Sequence, residues 1–316
     1  MTVDVEAVRR EKAAIEARHG PWTAHNIRLA DGLYTISPNP AGDEVKLRRV
    51  TQLSLDVFEG SLAGVRVLDL ASLEGMYALE LARRGADVVA IEGREANVEK
   101  ARFAARTLDL DVDFQLGDVR DLGRDPHGEF DLVLALGILY HLDGNDLFSV
   151  TERIGAVCRR ALIVDTGVGS AGDERLSHAG HDYQGIRLVE HAPESTETER
   201  RDAVWSSLDN LTAVVLTRAS LERLLARQGF TSVLECHVPA EPDKEVDRVT
   251  LLALKGAAAV ALISPNPASD AAGVPERPPL GRRLEASGFA GIVRHAVPRP
   301  VRARLRRLLG AETRRH

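Results

Sequence analysis

Residues 67–75 read Val-Leu-Asp-Leu-Ala-Ser-Leu-Glu-Gly, and a second apolar run, Ala-Asp-Val-Val-Ala-Ile-Glu, ends at Glu92. The first has the pattern of a buried strand followed by a tight turn between Asp69 and Gly75. The second is another buried strand that stops on a carboxylate, with room for a helix between the two. This order is the nucleotide-binding half of a doubly wound α/β fold, where the turn hugs a ligand and the acid at the second strand's tip accepts from ribose hydroxyls. A dinucleotide site also needs glycines early in the turn, so that a pyrophosphate can reach the backbone and a helix N-terminus. Here those slots hold Ala71 and Leu73, and only Gly75 remains. The turn therefore favours a ligand with a ribose and no phosphate.

The alternation continues along the chain. Strands are expected at 65–70, 87–92, 112–115, 130–136 and 160–166, and helices at 75–84, 95–107 and 145–158. Apolar strands alternating with helices imply a parallel sheet covered on both faces. Residues 167–215 break the rhythm with a polar stretch holding His178, His181, His191 and an acidic run at 194–199. A structureless loop of that length is uncommon in a compact domain, so a cap is expected there, inserted between the fifth strand and the last helix at 218–228. Runs at 231–239 and 247–255 then form a closing hairpin.

Three regions follow: an N-terminal extension at 1–60, a core domain at 61–256 with the cap at 167–215, and a C-terminal segment at 257–316. The extension reads as a helix at 4–19, a hairpin turning at Asp31 and Gly32, and a helix at 43–60. It is either a lid over the cleft, with Trp22, His25, Asn26, Tyr34 and Thr35, or a packed extension anchored by Trp22 and Tyr34. The C-terminal segment is a Pro/Ala-rich linker and an Arg-rich tail from Pro298. That tail suits an amphipathic helix on a membrane surface, RNA or a partner, or else a solvated terminus.

A net charge of −6 argues against a broad nucleic-acid footprint. Only five of the 41 basic residues are Lys, and this Arg richness reads as codon bias before function. Cys158 and Cys236 stand apart and read as buried small residues. The first twenty residues are too charged for a signal peptide, and no apolar run reaches a membrane-span length, so a cytoplasmic location is expected.

Residues 63–256 resemble a class I S-adenosylmethionine-dependent methyltransferase. The resemblance rests on 69–75 as the first loop, Glu92 as the ribose acid, Gly117-Asp118-Val119 as the adenine-side loop, and 130–137 as the fourth strand, ending beside the reactive methyl. It implies S-adenosylmethionine as cofactor on a Rossmann-like sheet, held by Asp69, Ala71, Gly75, Glu92, Asp118, Val119 and Leu136. The six residues 137–142 (Gly-Ile-Leu-Tyr-His-Leu) are also similar to the tRNA wobble-uridine carboxymethyltransferase-like methyltransferase domain. Leu73 departs from the family's second glycine, so the turn must fit a side chain near the methionine portion.

Methyl transfer from a sulfonium needs alignment and exclusion of water, and a weakly acidic acceptor also needs a base. The fourth strand's end delivers Tyr140 and His141, the candidate catalytic pair. His141 is the candidate base because imidazole titrates near neutrality; a helix cap or a backbone hydrogen bond is the competing role. Tyr183, Trp205 and Asn210 are candidates for the acceptor pocket. His178, His181, Asp182, His191 and Glu194 match no metal-site spacing, so no metal is expected. The leading expectation is methylation of a small molecule, in specialised metabolism or in glycan or lipid tailoring. A tRNA-modifying enzyme and a non-catalytic nucleoside-binding module are the alternatives.

Overall fold

The computed structural model describes residues 4–37, 43–169, 172–241 and 247–256. The chain starts with helix α1 (Val5–His19), capped by Asp4, then the short hairpin β1 (Arg28–Ala30) and β2 (Leu33–Tyr34), then α2 (Asp43–Val57). The alternating region follows: β3 (Arg66–Leu70), α3 (Met76–Arg83), β4 (Asp87–Glu92), α4 (Glu95–Leu108), β5 (Asp113–Leu116), α5 (Arg124–His127), β6 (Phe130–Leu136), α6 (Gly144–Val157) and β7 (Cys158–Gly167). Single 3-10 turns sit at Val119–Asp121 and Leu139–His141.

The main sheet has seven strands. With α8 (Arg218–Arg227), β11 (Phe230–Glu235) and β12 (Arg248–Lys255) closing the domain, its order is β11-β12-β7-β6-β3-β4-β5. Strands β3 to β7 run parallel, while β12 lies antiparallel between β7 and β11. The closing hairpin thus inserts its second strand next to the parallel set. Residues 67–68, 88–91, 132–135 and 161–164 are buried whichever way they point. Strands apolar on both faces require cover on both, and α1, α3 and α4 contribute to one buried cluster while α6 and α8 contribute to the other. Connections leave β3 in opposite directions, to β4 and, after β5, back to β6, so the topological switch point lies at the carboxyl ends of β3 and β6.

The insertion is a sheet of its own. Strands β8 (Glu174–His178), β9 (His181–Val189) and β10 (Thr212–Leu216) pair antiparallel in the order β10-β9-β8. Ala179 and Gly180, both at positive φ, make the two-residue turn joining β8 to β9. Sequence reading placed a cap here without its strands, because β8 and β9 are half exposed and carry charged residues in place of an apolar run.

Residues 194–209 belong to a second compact unit, which carries α7 (Glu197–Asp202). Thr196 and Glu199 form a reciprocal capping box at its start. Both the linker and the Arg-rich tail lie outside the described residues. Among the described residues, no helix is long and apolar enough to cross a membrane.

Candidate functional site

The turn after β3 keeps a glycine-like path without the glycines. Ala71 and Leu73 stand at φ 53° and 52°, and Gly75 at 82°. The left-handed region costs a non-glycine residue about 1–2 kcal/mol, so the surroundings must hold it there. Three things do. The Leu73 amide donates to Glu92 Oε2 at 2.9 Å, and the Ser72 amide donates to the Ile91 carbonyl at 3.1 Å. Glu74, fully buried, accepts the amides of Thr23, Ala24 and His25 at 2.7, 3.1 and 2.9 Å, with Lys100 Nζ 3.5 Å away. His25 Nδ1 in turn accepts the Met76 amide at the start of α3 at 3.2 Å. Gly75 is required twice over: its φ is positive, and a Cβ there would lie 2.7 Å from Phe114 Cζ.

Two acids are buried at the strand tips. Glu92, 3% exposed at the end of β4, accepts the Arg94 amide at 2.9 Å and Asn97 Nδ2 at 3.2 Å on Oε1. Burial raises its pKa against those hydrogen bonds. Asp69 is 1% exposed, and its Oδ2 is buried without a hydrogen-bond partner among the described residues. Burial lifts its pKa to about 7, opposed by the Ala78 amide and helped slightly by the charge of Glu92. The Ser72 hydroxyl is likewise buried, without a hydrogen-bond partner among the described residues.

Beyond β5, Asp118 caps the 3-10 turn through the Arg120 amide, and Val119 is buried. The Asp118 carboxylate also pairs with the Arg120 guanidinium at 2.6 Å. Arg120 reaches on to Asp146 at 3.3 Å and to Asn210 Oδ1 at 3.5 Å. Leu136 ends β6, paired with Asp165 of β7.

After β6 the chain turns at Gly137, φ 89°, into the Leu139–His141 turn. The Tyr140 and His141 rings lie 4.3 Å apart. Tyr140 OH accepts from Arg248 Nη1 at 3.2 Å, and Arg248 Nε donates to the buried Asp165 at 2.6 Å. His141 Nδ1 lies 2.9 Å from Glu190 Oε1, and Asn210 Nδ2 donates to the His141 carbonyl at 3.3 Å.

Asp69, Ala71, Gly75, Glu92, Asp118, Val119, Leu136, Tyr140 and His141 thus gather at or just beyond the carboxyl ends of β3 to β6. Asn210 joins them through the His141 carbonyl. Tyr183 sits in the core, its ring 4.9 Å from Phe148 and its hydroxyl buried without a partner among the described residues. Trp205 belongs to the second unit. His178 stacks on Phe148 and meets Glu152 Oε1 at 2.6 Å, while His181 meets Arg227. Among the described residues, no three His, Cys, Asp or Glu side chains converge as metal ligands.

Sequence reading named His25 as part of the N-terminal extension but missed Glu74, Glu190, Arg120, Asp165 and Arg248. Only Glu74 carried a signal, lying inside the first loop. The others acquire their roles from segments that meet only in three dimensions.

Residues 67–161 match the family model described as "Methyltransferase domain". That stretch is similar to methyltransferase domains. The chain is 32% identical over 121 residues to the ubiquinone biosynthesis O-methyltransferase of Alkalilimnicola ehrlichii, covering 37% of this chain and 49% of that protein. The same-named protein of Nitrobacter winogradskyi is 26% identical over 165 residues, covering 47% of this chain and 62% of its own length. The chain thus spans about half the length of the curated relatives it matches. In fold, the domain is similar to the N-terminal domain of EvdMO1, crystallised with SAH and D-fucose: TM-score 0.62, 23% identity, 81% of this chain and 98% of that one. That likeness extends the shared fold beyond the matched domain.

Proposed function

We propose that this chain is an S-adenosylmethionine-dependent methyltransferase acting on a small-molecule hydroxyl. The observation that carries it is the turn between Ala71 and Gly75, held in a ligand-cradling path by Glu92 while Asp69 and Ser72 each keep a buried polar atom without a partner among the described residues. These residues fit a ribosyl ligand with a cationic amino-acid portion. Each carboxylate oxygen offers two acceptor sites. Glu92 Oε1 already takes two donors and Oε2 takes one, so Oε2 retains capacity for one ribose hydroxyl.

S-adenosylmethionine supplies an electrophilic methyl with its own sulfur leaving group. Glu92 would hold the ribose, Asp118 and Val119 the adenine side, and Asp69 with the 71–75 turn the methionine side. Tyr140 and His141 line the acceptor side at the end of β6. The oxygen acceptor is supported by the names of the ubiquinone-biosynthesis relatives. A place in specialised metabolism or glycan tailoring has beside it the D-fucose crystallised with the EvdMO1 domain.

Calorimetric titration with S-adenosylmethionine, beside NAD and the Glu92→Ala variant, tests the reading. Binding of S-adenosylmethionine that weakens in the variant supports it. A preference for NAD, or no binding, overturns it.

A further inference from the structure

The inserted sheet reaches the turn that follows β6. Glu190 comes directly after β9, and its amide donates to the Leu211 carbonyl just ahead of β10 at 2.9 Å, so Glu190 and Asn210 flank the same end of the paired strands. Both grip His141. Glu190 Oε1 meets Nδ1 at 2.9 Å, with side chains only 7% and 16% exposed, and Asn210 Nδ2 holds the carbonyl. The His141 amide donates to the Ile138 carbonyl at 2.9 Å, fixing the third side. The other polar groups about the ring are Tyr140, tilted against it with ring centroids 4.3 Å apart, and the Arg120 guanidinium with Asp118 and Asp146, one step away through Asn210.

We propose that Glu190 is a positioning residue that makes His141 the base for a hydroxyl acceptor, an inference that rests on the methyl-transfer reading above. A carboxylate only accepts hydrogen bonds, so it fixes the imidazole hydrogen on Nδ1 and leaves Nε2 with a lone pair. Nε2 has no hydrogen-bond partner among the described residues. A base held by a buried acid in this way follows the same logic as a nucleophile–base–acid triad.

The dyad also restricts the acceptor. An ionised thiol attacks with a lone pair it already has, whereas a hydroxyl must lose its proton as it reacts. In the step, the acceptor O–H bond breaks and the proton passes to Nε2. The oxygen bonds to the methyl carbon, the methyl–sulfur bond breaks, and its electron pair stays on sulfur as a neutral thioether. The imidazolium formed faces the Glu190 carboxylate, which stabilises the charge where it appears.

The test uses the full chain, nitrogen-15 labelled, with Glu190→Gln and Glu190→Asp variants. Ring nitrogen shifts of His141 are read at mildly alkaline pH with and without S-adenosylhomocysteine. Nδ1 should carry the hydrogen in the wild type; in Glu190→Gln, whose amide can donate to Nδ1, the hydrogen should move to Nε2. With catechol as acceptor, Glu190→Gln should lose roughly 10²–10⁴-fold in kcat with the KM for S-adenosylmethionine unchanged, and Glu190→Asp should recover part of it. Thiophenol, ionised without help, should be methylated by wild type and Glu190→Gln within about threefold of each other. A wild-type ring protonated on Nε2, or equal losses with both acceptors, overturns the proposal while leaving the methyltransferase reading intact. Failure to bind S-adenosylmethionine together with no transfer to either acceptor brings down that reading instead, and the ring tautomer then decides the Glu190–His141 pairing alone.

Discussion

Glu92 Oε2 accepts the amide of Leu73 across 2.9 Å, so the acid at the tip of β4 is also the clasp of the turn after β3. One carboxylate thereby holds a left-handed leucine in place and, in the proposed reading, would also hold the ribose. Removing it should act on both. Glu92→Ala is expected to weaken S-adenosylmethionine binding by about 1.5–3 kcal/mol, the range for hydrogen bonds to a charged acceptor. Calorimetry reads this directly, and unchanged affinity would put the ribose elsewhere.

The strain at Leu73 is testable separately. Leu73→Gly removes a left-handed penalty of about 1–2 kcal/mol but adds unfolded-chain entropy of roughly 0.5–1 kcal/mol, leaving a small net gain in stability. Gly75→Ala should do the reverse, losing about 2–3 kcal/mol, since its Cβ would strike Phe114 and its backbone would be strained. Denaturant unfolding of the two variants should move the midpoint in opposite directions.

Glu74 ties the segment at 23–25 to the first loop through three backbone amides and Lys100. Glu74→Gln sets an amide group against those donors and leaves Lys100 with a weaker partner. A loss of about 3–5 kcal/mol is expected, as for breaking a buried pair from one side. Hydrogen exchange should show the protection of the His25 and Met76 amides falling first.

Stability should decline from pH 4 toward 7. Asp69, with a pKa near 7 in the folded chain and an ordinary carboxylate value near 4 when unfolded, holds a proton in the native state that the unfolded state has lost. Between those values the native state binds more protons, so unfolding free energy falls by up to about 1.4 kcal/mol per pH unit and levels off above 7. Burial shifts Glu92 in the same direction and adds to the slope. Asp69→Asn should flatten the profile of the ligand-free protein in thermal unfolding across pH.

The order of strands and helices, the turn at 69–75 and the acid at Glu92 were legible in the sequence. Continuous apolar runs, a glycine and a strand-ending carboxylate are local signals with one economical arrangement, a parallel sheet read at its carboxyl ends. The position of His141 after β6 was legible for the same reason. Tertiary structure alone decided what holds those pieces. Glu190 and Asn210 meet His141 because an insertion of half-exposed strands folds back onto the β6 turn, and such strands leave no apolar pattern. Glu74 and His25 meet because the N-terminal segment lies against the first loop, 49 residues apart in sequence. Hydrogen bonds between distant segments depend on where packing brings the chain, and sequence spacing does not encode that.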